Sequence, residues 1–323
     1  MKTRITELLG VDYPIVEGGM QWVGRAELAA AVSNAGAFGM VTARTQPSPD
    51  DLRAEIERTR QLTDKPFGVN LTLSMAVQDV DYSAWMNAII ESGVKVVETA
   101  GNNPAPVIAH FKEHGIKVIH KCTTVRHALS AERYGADIIS IDGFEAAGHP
   151  GEDDLPLLVQ LPAVLRQVTV PVIASGGIAD GRGLAAALAL GADGVNMGTR
   201  LMLTQESAIH ENIKQRLLAA NERETLLIKR TFKRTGRFFA NAVTREIVTL
   251  EQRPGGATFD DLKHLLSGTR GRLALESGEI DDGLICASQV IGLIDDLPTC
   301  AELIARIVAD CHAALSRSLA AFD

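Results

Sequence analysis

What most constrains this chain is an alternation that runs through its first 200 residues. Short apolar runs beginning at Pro14, Phe38, Phe67, Lys95, Lys117, Asp137, Val172 and Gly194 alternate with helix-forming stretches. The spacing is about 20–30 residues, the period of a parallel βα unit. Apolar runs of four or five residues bounded by glycine fit strands buried on both faces. The intervening helix signals are Arg25–Asn34, Pro49–Thr63 with Ser48 as N-cap, Tyr82–Ser92, Pro106–Glu113, Val125–Tyr134, Leu155–Arg166 and Gly181–Leu190. Eight such units close naturally into a barrel. The competing open, doubly wound sheet carries GxGxxG after its first strand, and the first turn here, Gly18-Gly19-Met20-Gln21-Trp22-Val23-Gly24, lacks that pattern. The expected fold is α/β, a (β/α)8 TIM barrel.

After the eighth strand the alternation stops. Helical signals dominate from Ser207 to about Asp281, as in Ile209–Asn221, Arg223–Phe232 and Phe259–Leu266. They predict an all-α insertion covering the barrel mouth, where chemistry occurs in this architecture. The expected organisation is a barrel over 1–206 and 282–323, with a helical cap over 207–281.

Composition removes several function classes. A net charge of −8 argues against non-specific nucleic-acid binding. No apolar run reaches the ~18 residues of a membrane span, and MKTRITELLGVDYPI lacks the apolar core of a secretion signal. Cys122, Cys286, Cys300 and Cys311 have no CxxC or metal-type spacing. No HxH, HExxH or G-x-S-x-G motif occurs, so a metal site and a serine-hydrolase elbow are both disfavoured. The expectation is a cytoplasmic protein with reduced thiols, a monomer or homodimer, acting on a small molecule.

Val172–Arg200 reads VIASGGIADGRGLAAALALGADGVNMGTR, two glycine-ended strands around one helix. Ser175-Gly176-Gly177 and Gly198-Thr199 are either ordinary tight turns or the two halves of a phosphate site, which in a (β/α)8 barrel follows strands seven and eight. Lys121 puts a cation on a strand that should be buried. It is either a partner for Glu98 or Asp142 or a fixed positive charge for a developing anion, such as the N1–C2=O edge of a reduced flavin. His149 lies in the Gly/Pro-framed loop Ala146-Ala147-Gly148-His149-Pro150-Gly151, and a histidine titrating near neutrality suits proton transfer. The basic run Lys229–Arg237 is either a solvated helix face or an anion grip for the phosphates of a nicotinamide nucleotide or coenzyme A.

PIVEGGMQWVGRAELAAAVSNAG, KPFGVNLTL, VIHKC, SIDGFEAAGHPGEDD, VIASGGIADGRGLAAALALGADGVNMGTR and LIDDLPTCAEL together resemble the nitronate monooxygenase (2-nitropropane dioxygenase-like) family. The similarity is greatest to its class II branch of FMN-dependent NADH:quinone reductases. The resemblance implies a barrel with non-covalent FMN. Gly19, Met20 and Gln21 would lie against the flavin, and Thr72, Lys121 and Ala147 would contact the ring or ribityl chain. Ser175, Gly176, Gly177, Gly198 and Thr199 would hold the phosphate, with His149 as general base. Two positions depart from the branch: Glu17 replaces a glutamine, and the segment from Ser74 to Tyr82 has no proline, with Val77 where the branch has a glutamine. The function expected is an FMN-dependent oxidoreductase with His149 and Lys121 as catalytic residues. NAD(P)H-dependent reduction of an acceptor such as a quinone is preferred. Nitronate oxidation with O2 and reduction or dehydrogenation of a C=C bond in an acyl thioester are the alternatives.

Overall fold

The computed structural model of the chain describes residues 1–73 and 81–322. Eight parallel strands form the barrel: β1 (Ile15–Glu17), β2 (Gly39–Thr42), β3 (Phe67–Leu73), β4 (Val96–Gly101), β5 (Lys117–Cys122), β6 (Ile138–Asp142), β7 (Val172–Ser175) and β8 (Gly194–Met197). Neighbours run β1-β8-β7-β6-β5-β4-β3-β2. The ring closes where β1 meets β2, through one bridge between Val16 and Phe38. One residue further on, the Met40 N–H donates to the Glu17 carboxyl oxygen Oε2 at 3.0 Å, so a side chain continues the seam. Helices follow the strands, and Cys300–Leu319 completes the outer ring against Gly181–Ala189.

The barrel interior is layered. Val16, Phe38, Met40, Val96, Ile119, Ile138 and Ile173 form a buried apolar cluster, and Ile5 and Leu9 of the helix Arg4–Leu9 belong to the same cluster. Burying each large aliphatic side chain contributes about 1.5–3 kcal/mol. A larger apolar shell lies between strands and helices. Among the described residues no helix is long and apolar enough to cross a membrane.

The segment after β8 corrects the all-α expectation. Arg223–Phe232, expected to be helical, contains β9 (Thr225–Ile228) and a 3-10 turn at Arg230–Phe232. β9 pairs antiparallel with β10 (Gly236–Phe239), with Gly236 opposite Ile228 and Phe239 opposite Thr225. The run Thr225-Leu-Leu-Ile is too short for its periodicity to separate strand from helix, and the pairing with β10 decides it. Helices Glu211–Leu218, Ala242–Gln252 and Gly268–Ser277 do occur in this segment. Ile228, Phe238, Val243, Ile247, Leu262 and Leu265 give it a small core of its own.

Candidate active site

Above the apolar layer, the barrel floor is a polar network. Asn70 Nδ2 donates to Glu98 Oε1 at 2.8 Å, and Asn196 Nδ2 lies 3.4 Å from Glu98 Oε2. Lys121 Nζ donates to Asn196 Oδ1 at 3.2 Å and Ser175 Oγ at 3.3 Å, with Asp142 Oδ1 at 3.6 Å. These bonds join β8 to β4 and β5 to β8, strands that are not neighbours, so they cross the interior. Burial opposes the Lys121 charge, but Asp142 and Glu98 outweigh it and raise its pKa. A fixed ammonium therefore stands in the floor. Ser175 is likewise 3% exposed, its hydroxyl turned to Lys121.

The turn after β1 lies tight on this floor. Gly19 N–H donates to Glu98 Oε1 at 3.2 Å, and a Cβ on Gly19 would stand 2.2 Å from Asn70 Cγ, so only glycine fits. Met20 N–H donates to Thr42 Oγ1 at 2.9 Å, and Gln21 is exposed. Thr72, on β3, is exposed and donates to Asn70 Oδ1 at 3.0 Å. Glu17 is fully buried. Burial first, opposed by the Met40 N–H and assisted by Glu98, holds its carboxyl well above the usual carboxylate range. Val77 and the rest of residues 74–80 lie outside the described residues.

Backbone donors gather where β7 and β8 end. Gly176 and Gly177 have φ of +85° and +71°, a left-handed pair that glycine adopts without strain. Among the described residues, the N–H groups of Gly176, Gly177, Gly198 and Thr199 have no protein acceptor. Gly198 starts the turn Thr199–Met202 without a side-chain cap. Free amide donors at two adjacent strand ends fit a phosphate monoester.

Directly beside Gly176 and Gly177, packed on them through Glu145 and Ala146, lies the loop from Phe144 to Asp154, which carries Ala147 and His149. The hairpin β9–β10 clamps it. Arg237 N–H donates to Gly148 O at 2.6 Å and Gly148 N–H to Arg237 O at 3.1 Å. Thr235 N–H and Oγ1 both bond Glu152, at 2.7 and 2.5 Å, and Arg230 pairs with Asp154 at 2.6 Å. The basic run is thus a hairpin loop and not a helix face, and its members have different roles. Arg237 is buried, with bonds to Phe144 O and Thr225 Oγ1. Lys229 Nζ stands 3.2 Å from His149 Nε2. Among the described residues Lys233 and Arg234 have no ion-pair partner. The His149 side chain is exposed, yet many protein atoms stand close around its ring. Desolvation first, then the Lys229 and Arg234 charges, lowers its pKa to about 4.

A strap that carries no sequence signal joins both sides. Phe239 N–H donates to Ile285 O at 2.8 Å, Ser288 N–H to Thr199 Oγ1 at 3.0 Å, and Ser288 Oγ to Glu145 O at 2.6 Å. Segment 285–288 therefore ties the hairpin, Thr199 at the end of β8 and the histidine loop together.

A polar floor with one ammonium, a group of free amides and a loop histidine thus lie at the C-terminal ends of the strands. The family model for nitronate monooxygenase matches residues 2–310. This chain belongs to the nitronate monooxygenase family. It is a flavin-dependent oxidoreductase. Among relatives in this family and fold, (3aS,4S,5R,7aS)-5-hydroxy-7a-methyl-1-oxo-octahydro-1H-indene-4-carboxyl-CoA dehydrogenase of Rhodococcus jostii is 33% identical, over 96% of each chain. A probable nitronate monooxygenase of Staphylococcus aureus is 31% identical, over 84% of this chain and 93% of the relative. The solved structure of FabK from Thermotoga maritima superposes with a TM-score of 0.92 at 36% identity, covering both chains fully.

Proposed function

We propose that this member of the nitronate monooxygenase family uses FMN to move a hydride at the carbon–carbon bond beside the carbonyl of an acyl thioester, with NAD(P)H as the other redox partner. The observation that carries this reading is the cationic rim of an otherwise acidic chain. Lys229 faces His149, and Lys233 and Arg234 stand free on the same loop, where the phosphates of a coenzyme A thioester or a nicotinamide nucleotide would be gripped. The Rhodococcus relative is named for a carboxyl-CoA substrate, and none of the three relatives described is named for a quinone. FMN suits a cradle of free amides at the ends of β7 and β8, with no dinucleotide fingerprint after β1 to hold a further nucleotide.

Bound flavin supplies hydride acceptance and donation. The protein supplies the rest. Gly176, Gly177, Gly198 and Thr199 would fix the phosphate through backbone N–H groups. Lys121, held charged by Asp142 and Glu98, would stabilise negative charge developing above the floor. Gly19, Met20, Gln21, Thr72 and Ala147 would border the ring and its chain. His149 would manage the proton at the carbon next to the carbonyl.

Anaerobic stopped-flow on the yellow holoenzyme tests this. NADH or NADPH should bleach the flavin, and 2-butenoyl-CoA should restore the colour. Recovery with a quinone but not with the enoyl-CoA would restore the quinone reading. Bleaching by propyl-2-nitronate, with neither nicotinamide active, would establish nitronate oxidation in its place.

A further inference from the structure

The hairpin loop holds one lysine in an unusual way. Lys229 has φ +63° and Lys233 φ +52°, left-handed conformations that side-chain-bearing residues rarely adopt. Strained backbone of this kind persists where the surroundings over-determine it, and it clusters at functional positions. Here the surroundings are explicit. The Lys229 N–H donates to Glu251 Oε2 at 2.9 Å, the loop is pinned by Thr235 on Glu152, and its two ends are paired as β9 and β10. The result is a fixed ammonium, 5.6 Å over the face of Phe238 and 3.2 Å from His149 Nε2. Among the described residues no carboxylate forms an ion pair with it, so the imidazole is its hydrogen-bonding side-chain partner.

We infer that Lys229 is the positioning residue for His149: its ammonium donates to Nε2, keeping the resting imidazole neutral with its proton on Nδ1. An ammonium can only donate, so Nε2 must accept and the ring proton must sit on the other nitrogen. A lysine amine is ordinarily about four pH units more basic than an imidazole; burial lowers Lys229, but burial and the Lys229 charge also lower His149, to about 4, so the proton in this contact belongs to Lys229. The other charged and titratable groups around the pair are Arg234 on the same loop, Glu152 on the histidine loop, Glu251 on the helix Ala242–Gln252, and Cys286 on the strap. Arg234 acts on the imidazole in the same sense as Lys229. The consequence is chemical. In the resting enzyme Nε2 is occupied and cannot take a proton from a substrate, while Nδ1–H is a donor. A clamp built this way favours giving a hydrogen bond or a proton over abstracting one.

The inference needs only the contact between the two side chains, so it can fail while the acyl-thioester reading stands, and the reverse. The measurement is NMR of the holoenzyme carrying [13C,15N]-histidine, without substrate, with the His149 signal assigned by its loss in His149→Asn. Wild type should show the Nδ1–H tautomer and remain neutral to about pH 5. Lys229→Met should raise the midpoint by about one pH unit or more, and Lys229→Arg should keep it low. Flavin content reports whether each variant is folded, and the wild-type tautomer decides even if Lys229→Met does not fold. An Nε2–H tautomer in wild type, or an unchanged midpoint in folded Lys229→Met, overturns the inference.

Discussion

Arg237 separates structural from ligand-binding roles within the basic loop. Its side chain is 3% exposed. Nη2 and Nε donate to Phe144 O at 2.9 and 3.3 Å, Nη1 donates to Thr225 Oγ1 at 3.0 Å, and the guanidinium lies 4.6 Å over the Phe144 ring. Arg237→Met preserves much of the volume and the backbone bridge to Gly148, but strips the Phe144 carbonyl of its donors. An orphaned buried carbonyl costs about 1–3 kcal/mol, and the lost cation–π contact about 1 kcal/mol. Relief of the buried charge offsets part of this, leaving a loss of about 2–3 kcal/mol. For 323 residues the unfolding entropy is about 0.7 kcal/mol/K, so Tm should fall by about 3–4 °C. KM for an acyl-CoA should stay within about threefold, because the loop keeps its main-chain tether. Arg234→Glu should do the reverse: Tm within about 1 °C, and KM raised about tenfold. Scanning calorimetry and steady-state kinetics on the two variants give the comparison. An unchanged Tm with a raised KM in Arg237→Met would refute the structural assignment.

Two further outcomes follow from the site. A Cβ on Gly198 meets only Met20, with Sδ at 3.6 Å, so Gly198→Ala should fold with an unchanged apoprotein Tm yet lose flavin; normal flavin content after purification would place the phosphate elsewhere. Glu17 keeps its proton when folded at pH values where the unfolded chain has lost it, so its contribution to stability is complete below the unfolded pKa and declines as pH rises towards the folded value. Glu17→Gln removes that decline, so its Tm advantage over wild type should widen from about pH 5 to pH 8; parallel Tm curves would show that the folded pKa of Glu17 is not raised above its unfolded value.

The barrel was legible because each βα unit writes its period locally, and the glycine turns after β7 and β8 lie in one continuous stretch. The polar floor was not. Asn70, Glu98, Lys121 and Asn196 come from four strands, and only ring closure makes them partners. Lys121 stood out alone as a charge on an apolar strand, with Asp142 and Glu98 as its alternatives for pairing, and both act on it. Within the basic run, sequence could not distinguish buried Arg237 from exposed Lys233, because the distinction is made by a hairpin whose two strands are four residues each. His149 was visible through its Gly/Pro frame, whereas the lysine that faces it is 80 residues away.

The seam between β1 and β2 makes the barrel a hoop fastened by a clasp. Every other joint in it is a ladder of main-chain pairs, whereas this one has a single bridge continued by the Glu17 carboxyl. Local opening follows the weakest joint, so breathing of the hoop should concentrate there and leave the ladders from β3 to β8 as the slow-exchanging remainder. Because the fastener is a titratable group, its hold on the Met40 amide is tied to one buried proton. Ionising the buried Glu17 carboxyl should therefore change how readily the wall parts at this edge, three residues before Met20.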